Sequence, residues 1–125
     1  MNLEGDAKKL KVIVGEDDMI YKRPLYEAIL FSAKKYQVAG ATVWKGIMSF
    51  GGNSIDSHSK VFALSDEKPV IIEIIDREER ITDFAEIVKD LITKSGSGGI
   101  VYVEDANVVL YNHTDDMPVK NYKMH

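Results

Sequence analysis

The chain has 125 residues, 45% of them hydrophobic and 29% charged, the balance of a single soluble globular domain. Cysteine is absent, which excludes disulfides and thiolate metal sites. A net charge of −4 argues against general nucleic-acid binding, which depends on neutralising phosphates, but leaves room for a local pocket that takes one nucleotide.

The first nine residues are polar and show no leader pattern, and no apolar run approaches the roughly 20 residues that span a bilayer. A cytoplasmic protein with a disordered segment at 1–8 is the expectation. Residues 9–15 are short, β-branched and closed by Gly15, the signature of a strand. A polar connection follows over 16–23. Pro24 suits the first turn of a helix, where its missing N–H costs nothing. Leu25, Ala28, Ile29, Ser32 and Tyr36 keep helical spacing after it, and Gly40 closes the segment.

Residues 41–45 read as a second strand, and 46–60 as a loop rich in Gly, Ser, Asn and Asp. The strand pattern restarts over 61–64, turns over 65–69 and gives a strong strand over 70–75. The second helix has a start signal in Asp76 with Glu79 three residues on, the pair of a capping box. Ile81, Phe84, Ala85, Val88, Leu91 and Ile92 then form one apolar stripe. The glycine-rich stretch 95–99 ends it. A last strand is expected in two pieces, 100–103 and 108–111, interrupted by the polar 104–107. Residues 112–125 lack periodicity and read as a tail, so the folded domain is expected over 9–111.

The order β-α-β-β-α-β is that of the ferredoxin-like sandwich, an α+β fold with two helices on one face of a four-stranded antiparallel sheet. Such a sheet should alternate apolar and polar residues. Val70, Ile72 and Ile74 point to one face, yet Ile71, Ile75, Ile100 and Tyr102 point to the other. Two helices cannot cover both faces. The second face is therefore expected to meet other subunits, or else a terminal segment.

Three places carry candidate chemistry. The turn Gly96, Ser97, Gly98, Gly99 has the backbone freedom to converge N–H groups on a phosphate, and equally that of a plain helix cap. The loop after the second strand brings Lys45, Gly46, Ile47, Phe50, Gly51 and Gly52; Phe50 or Trp44 offers a stacking surface for a base and Lys45 a cation, and a surface loop with Trp44 and Met48 in the core reads equally well. His58 is a titratable group without a second ligand at metal-binding spacing. No nucleophile elbow, zinc-helix pair or Walker loop is present, so a binding module is expected rather than an enzyme.

Gly15-Glu16, Lys22-x-Pro24-Leu25-Tyr26-Glu27-Ala28, Gly40-Ala41-Thr42-Val43, Gly46-Ile47-x-x-Phe50-Gly51, His58, Leu64-Ser65, Pro69-Val70 and Asp76-x-Glu78-Glu79-Arg80-Ile81 occur in this order. Together they resemble domain of unknown function 190, a group of PII-like proteins, over residues 9–111. The resemblance implies a homotrimer with an adenine nucleotide in the clefts between subunits, held between Lys45 to Gly52 and Ser95 to Gly99, with His58 nearby. Nitrogen-regulatory PII proteins are similar at greater distance. They carry Gly-Asp-Gly-Lys in the glycine turn; here Gly99 stands in place of the lysine, and the late-strand arginines are absent from 108–111. AMP or ADP is therefore expected ahead of ATP, with no metal required. A membrane transporter or a metabolic enzyme is the expected partner. The competing expectations are a small nucleotide-processing enzyme using His58 with Asp56 or Glu79, and a CutA-like trimer binding divalent metal through His58 or His113.

Overall fold

The structure is a computed structural model that describes residues 2–46 and 68–112. Its elements are β1 (Gly5–Gly15), β2 (Met19–Ile20), β3 (Arg23–Pro24), α1 (Leu25–Tyr36), β4 (Gly40–Lys45), β5 (Pro69–Asp76), α2 (Glu78–Ser95) and β6 (Ile100–Val108). The four long strands form one antiparallel sheet in the order β4-β5-β1-β6, while β2 and β3 make a small separate ribbon. This is the ferredoxin-like α+β sandwich the element order implied.

Register builds the core. Leu10, Val12 and Val14 of β1 pair with Ile74, Ile72 and Val70 of β5, so six apolar side chains share one face. Leu25, Ala28, Ile29 and Ala33 of α1 and Ile81, Phe84 and Val88 of α2 close over them, all buried. Each large side chain buried this way contributes about 1.5–3 kcal/mol. Pro24 stands at the N-cap of α1, as its fixed φ allows, but the helix ends at Gln37 in the left-handed region rather than at Gly40, which opens β4.

Four local expectations are corrected. Residues 5–8, assigned to a disordered segment, extend β1, because β6 runs far enough to pair with them from Gly5↔Val108 to Lys8↔Asp105. For the same reason β6 is continuous through 104–107: an edge strand tolerates polar side chains where the backbone ladder holds it. Asp76 does not cap α2; Arg77 is the N-cap residue and no side chain caps it. Asp76 is instead fully buried and accepts hydrogen bonds from the N–H groups of Ala39 and Arg77 and from Nε of Arg80 at 2.8 Å. The connection over 16–23 contains the β2–β3 ribbon, pinned by buried Ile20. The strand restart at 61–64 lies outside the described residues.

The face away from the helices is only partly apolar. Trp44, Ile71, Ile13 and Ile100 form one row across the four strands. The next two rows carry charges that are already neutralised: Lys9 and Lys11 reach Glu73 at 3.4 and 3.5 Å, and Lys9 reaches Glu104 at 3.7 Å. The described terminal residues close the lower end of the sheet, where Leu3 and Ala7 are buried and the Tyr111 hydroxyl donates to the Ala39 carbonyl. They leave Trp44, Ile100 and Tyr102 at 44%, 49% and 39% exposure.

Candidate functional site

The upper end of the sheet is where β1 and β4 finish and β5 and β6 begin. Both glycine-bearing candidates lie there. Gly46 follows β4 and donates its N–H to the Pro69 carbonyl at 2.8 Å, closing the β4–β5 ladder. A Cβ at Gly46 would stand 2.6 Å from Pro69 Cγ, so the backbone passes closer than any other residue permits. Lys45 lies 5.5 Å above the Tyr26 ring of α1 and donates to the Glu16 carboxylate at 2.9 Å. That hydrogen bond holds the Glu16 carboxyl below, and the Lys45 ammonium above, their ordinary ranges. The cation is therefore positioned by β4, α1 and the end of β1 together, and it already holds an anion.

At the other glycine segment, Gly96 takes φ +74° as the left-handed cap of α2, and its N–H donates to Thr93 O. Ser97 N–H donates to Ser95 Oγ, which itself donates to Ile92 O. Both N–H groups are thus consumed in ending the helix. The N–H groups of Gly98 and Gly99 have no partner among the described residues and are the two available to a ligand. Packing is also tight at Gly99, since a Cβ there would stand 3.2 Å from Ile13 O and 3.3 Å from Val14 Cγ1.

The two segments share one end of the sheet but not one edge. β5 and β1 stand between β4 and β6, a separation of three strand spacings, about 14 Å. Within one chain, the backbones at Gly46 and Gly99 are therefore too far apart to hold one phosphate between them. Ile47, Phe50, Gly51, Gly52 and His58 lie outside the described residues, as does His113. Among the described residues no group of three or more His, Asp or Glu is placed to hold a metal, and no helix is long and apolar enough to cross a membrane. Nothing in the sequence alone assigns a role to Glu16 or Tyr26, although both stand in the motifs that carry the family resemblance.

Comparison with known proteins gives the family and the fold. Residues 7–108 match the family model DUF190, described as an uncharacterized ACR. A UPF0166 protein of Aquifex aeolicus is 33% identical over 102 residues, which cover 82% of this chain and 92% of that protein. Among solved structures, CPII from Thiomonas intermedia K12 bound to ADP, AMP and acetate superposes with a TM-score of 0.62 at 18% identity, covering 88% of this chain and 94% of that one. The same protein, a nitrogen regulatory PII-like protein, bound to ADP, AMP and bicarbonate gives 0.56 at 17%, covering 81% and 86%. At these identities the likeness is one of fold. With the model match spanning most of the sequence, the chain belongs to the DUF190 family and has the PII-like fold.

Proposed function

We infer that this chain is the subunit of a cytoplasmic PII-like homotrimer that binds an adenine nucleotide between subunits and regulates a partner through the loop that starts at Gly46. The observation that carries the reading is the placement of the two glycine segments, at one end of the sheet but on opposite edges, beside an open face with an uncovered apolar row. Assembly through that face brings the β4 edge of one subunit toward the β6 edge of the next. Lys45 of one chain and the free N–H groups of Gly98 and Gly99 of another then line the same cleft. The bound ADP and AMP of the structurally similar CPII favour an adenine nucleotide as the ligand. AMP or ADP is favoured over ATP, because Gly99 supplies no cation and Lys45 is shared with Glu16. The partner, a membrane transporter or a metabolic enzyme, is met after the nucleotide has biased the loop, by as much as its affinity differs between loop states.

Calorimetry with AMP, ADP and ATP, paired with light scattering, tests this. The expected result is a trimer that binds AMP or ADP and returns it chemically unchanged after hours. Ile71→Asp places a charge in the apolar row and should yield single subunits that have lost the nucleotide as well. Absence of heat at millimolar nucleotide, or a folded Ile71→Asp monomer that still binds, overturns the shared-cleft reading.

A further inference from the structure

On the helix side of the molecule, the β2–β3 ribbon turns through Tyr21 and Lys22, between the paired Ile20 and Arg23. Both turn residues have positive φ, 48° and 69°. Two-residue hairpin turns of this shape are normally built from Asn-Gly, since a Cβ crowds the backbone at positive φ. Here a tyrosine and a lysine occupy both positions. The base of the ribbon is rigid. Gly15 N–H donates to Asp18 Oδ2 at 2.8 Å, Leu25 N–H donates to Asp18 O at 2.8 Å, and Ile20 is buried. The strained tip gains little packing from its own fold in return, for Tyr21 is 77% exposed and only the Lys94 ammonium of α2 is near its hydroxyl among the described residues. Strain kept at an exposed, well-anchored tip points to a use outside the subunit.

The surroundings say of what kind. Phe31 of α1 is 52% exposed and has two cations on its ring, Arg23 Cζ at 5.6 Å and Lys35 Nζ at 5.8 Å from the centroid. Met19 is 48% exposed beside the turn. Lys8, Lys9, Lys11, Lys45, Arg80, Lys89 and Lys94 each have a carboxylate within 4 Å. Lys22, Arg23, Lys34 and Lys35 have none among the described residues. In a chain of net charge −4, these four cations thus lie on the ribbon and α1, with Arg23 and Lys35 against the exposed Phe31 ring.

We propose that the face formed by the Tyr21–Lys22 turn, Arg23, Phe31 and Lys35 is a docking surface for an acidic protein segment that carries an apolar side chain. The apolar side chain lies against Phe31 and Tyr21, and the carboxylates meet the guanidinium and ammonium groups already aligned on the ring. A guanidinium's planar fork matches a carboxylate. Glu27, one turn before Phe31 and exposed, repels a continuous anionic sheet such as a bilayer, whereas a discrete segment can place its charges clear of it. This inference does not rest on nucleotide binding.

The test uses the full chain and a fluorescein-labelled peptide of alternating glutamate and leucine, read by anisotropy at two salt concentrations. Vesicles of phosphatidylcholine with phosphatidylserine and a lysine–leucine peptide serve as counter-probes. The acidic peptide binds and weakens with salt; the basic peptide does not bind. Arg23→Glu with Lys35→Glu lowers the peptide affinity about tenfold, and Phe31→Ser lowers it several-fold. Tyr21→Asn with Lys22→Gly keeps the fold secure: the melting temperature rises by about 2–5 °C while peptide affinity falls. Affinity unchanged in all three variants overturns the proposal. Vesicle binding that exceeds peptide binding and disappears in Phe31→Ser overturns it in favour of a membrane.

Discussion

The two ends of the sheet treat their polar groups in opposite ways. At the lower end, where β1 begins and β5 finishes, Asp76, Arg77 and Arg80 are tied down. Asp76 gathers Ala39 N–H, Arg77 N–H and Arg80 Nε, while Arg80 also donates to the carbonyls of Tyr36 and Gln37 at the close of α1. Arg77 reaches back to the carbonyls of Asn2, Glu4 and Asp6, and Tyr111 bonds to Ala39. At the upper end, the Lys45 ammonium is held by the partly exposed carboxylate of Glu16, and the N–H groups of Gly98 and Gly99 find no partner among the described residues. The same fold thus uses one end to fasten three elements together and leaves backbone donors unclaimed at the other. The difference lies in which polar groups find partners within the chain, not in the hydrophobic core, which runs continuously between them.

The sharpest way to break that contrast is at Asp76. Asp76→Ala removes the acceptor of two part-buried N–H groups and the carboxylate partner of Arg80, and should cost about 3 kcal/mol, near the low end for a severed buried pair because the Arg80 side chain is 33% exposed. Urea unfolding measures it. A loss below 1 kcal/mol would mean the lower end is no more fastened than the upper. Gly46→Ala comes next. Its Cβ must displace the Pro69 ring, and about 2 kcal/mol of destabilisation is expected from the overpacking. If the variant is as stable as the parent, the close approach of β4 to β5 at the upper end is not a constraint. Tyr111→Phe removes one partly buried hydrogen bond and should cost about 1 kcal/mol, with nucleotide binding unchanged. A change in binding would show the two ends to be coupled.

Much of the fold was legible in the sequence, because it depends on period. The apolar faces of β5 and α2 alternate as strand and helix require, and each is buried as read. What escaped depends on partners distant in sequence. Glu104, Asp105, Ala106 and Asn107 look like a gap, yet they are strand because Gly5 to Lys9, nearly 100 residues away, supply their ladder. Asp76 carries a capping signature, but the groups that claim it, Ala39 N–H and the turned-back Arg80, are arranged by tertiary structure. The ribbon turn at Tyr21 and Lys22 has none of the residues that announce a hairpin. At the candidate site, the glycines and Lys45 stood out by type, whereas the Glu16 partner of Lys45, 29 positions earlier, did not.

That partner gives the smallest effect and the most direct probe of the upper end. A phosphate approaching Lys45 must compete with a carboxylate already 2.9 Å from the ammonium, so Glu16 acts as a resident anion. Glu16→Gln removes the charge and keeps the shape. AMP affinity should rise about threefold, the scale of an exposed ion pair. The sign with pH follows from the direction of the shift. Glu16 is held below the usual carboxylate range by Lys45, so the pair is intact at neutral pH and is lost only as pH falls through that lowered value, while Lys45 stays charged throughout. Acid therefore does to the parent what the substitution does at neutrality, and the gap between the two titration curves should close on the acid side. A Glu16→Gln variant that binds more weakly at every pH would mean that Glu16 aims Lys45 at the ligand instead of occupying it.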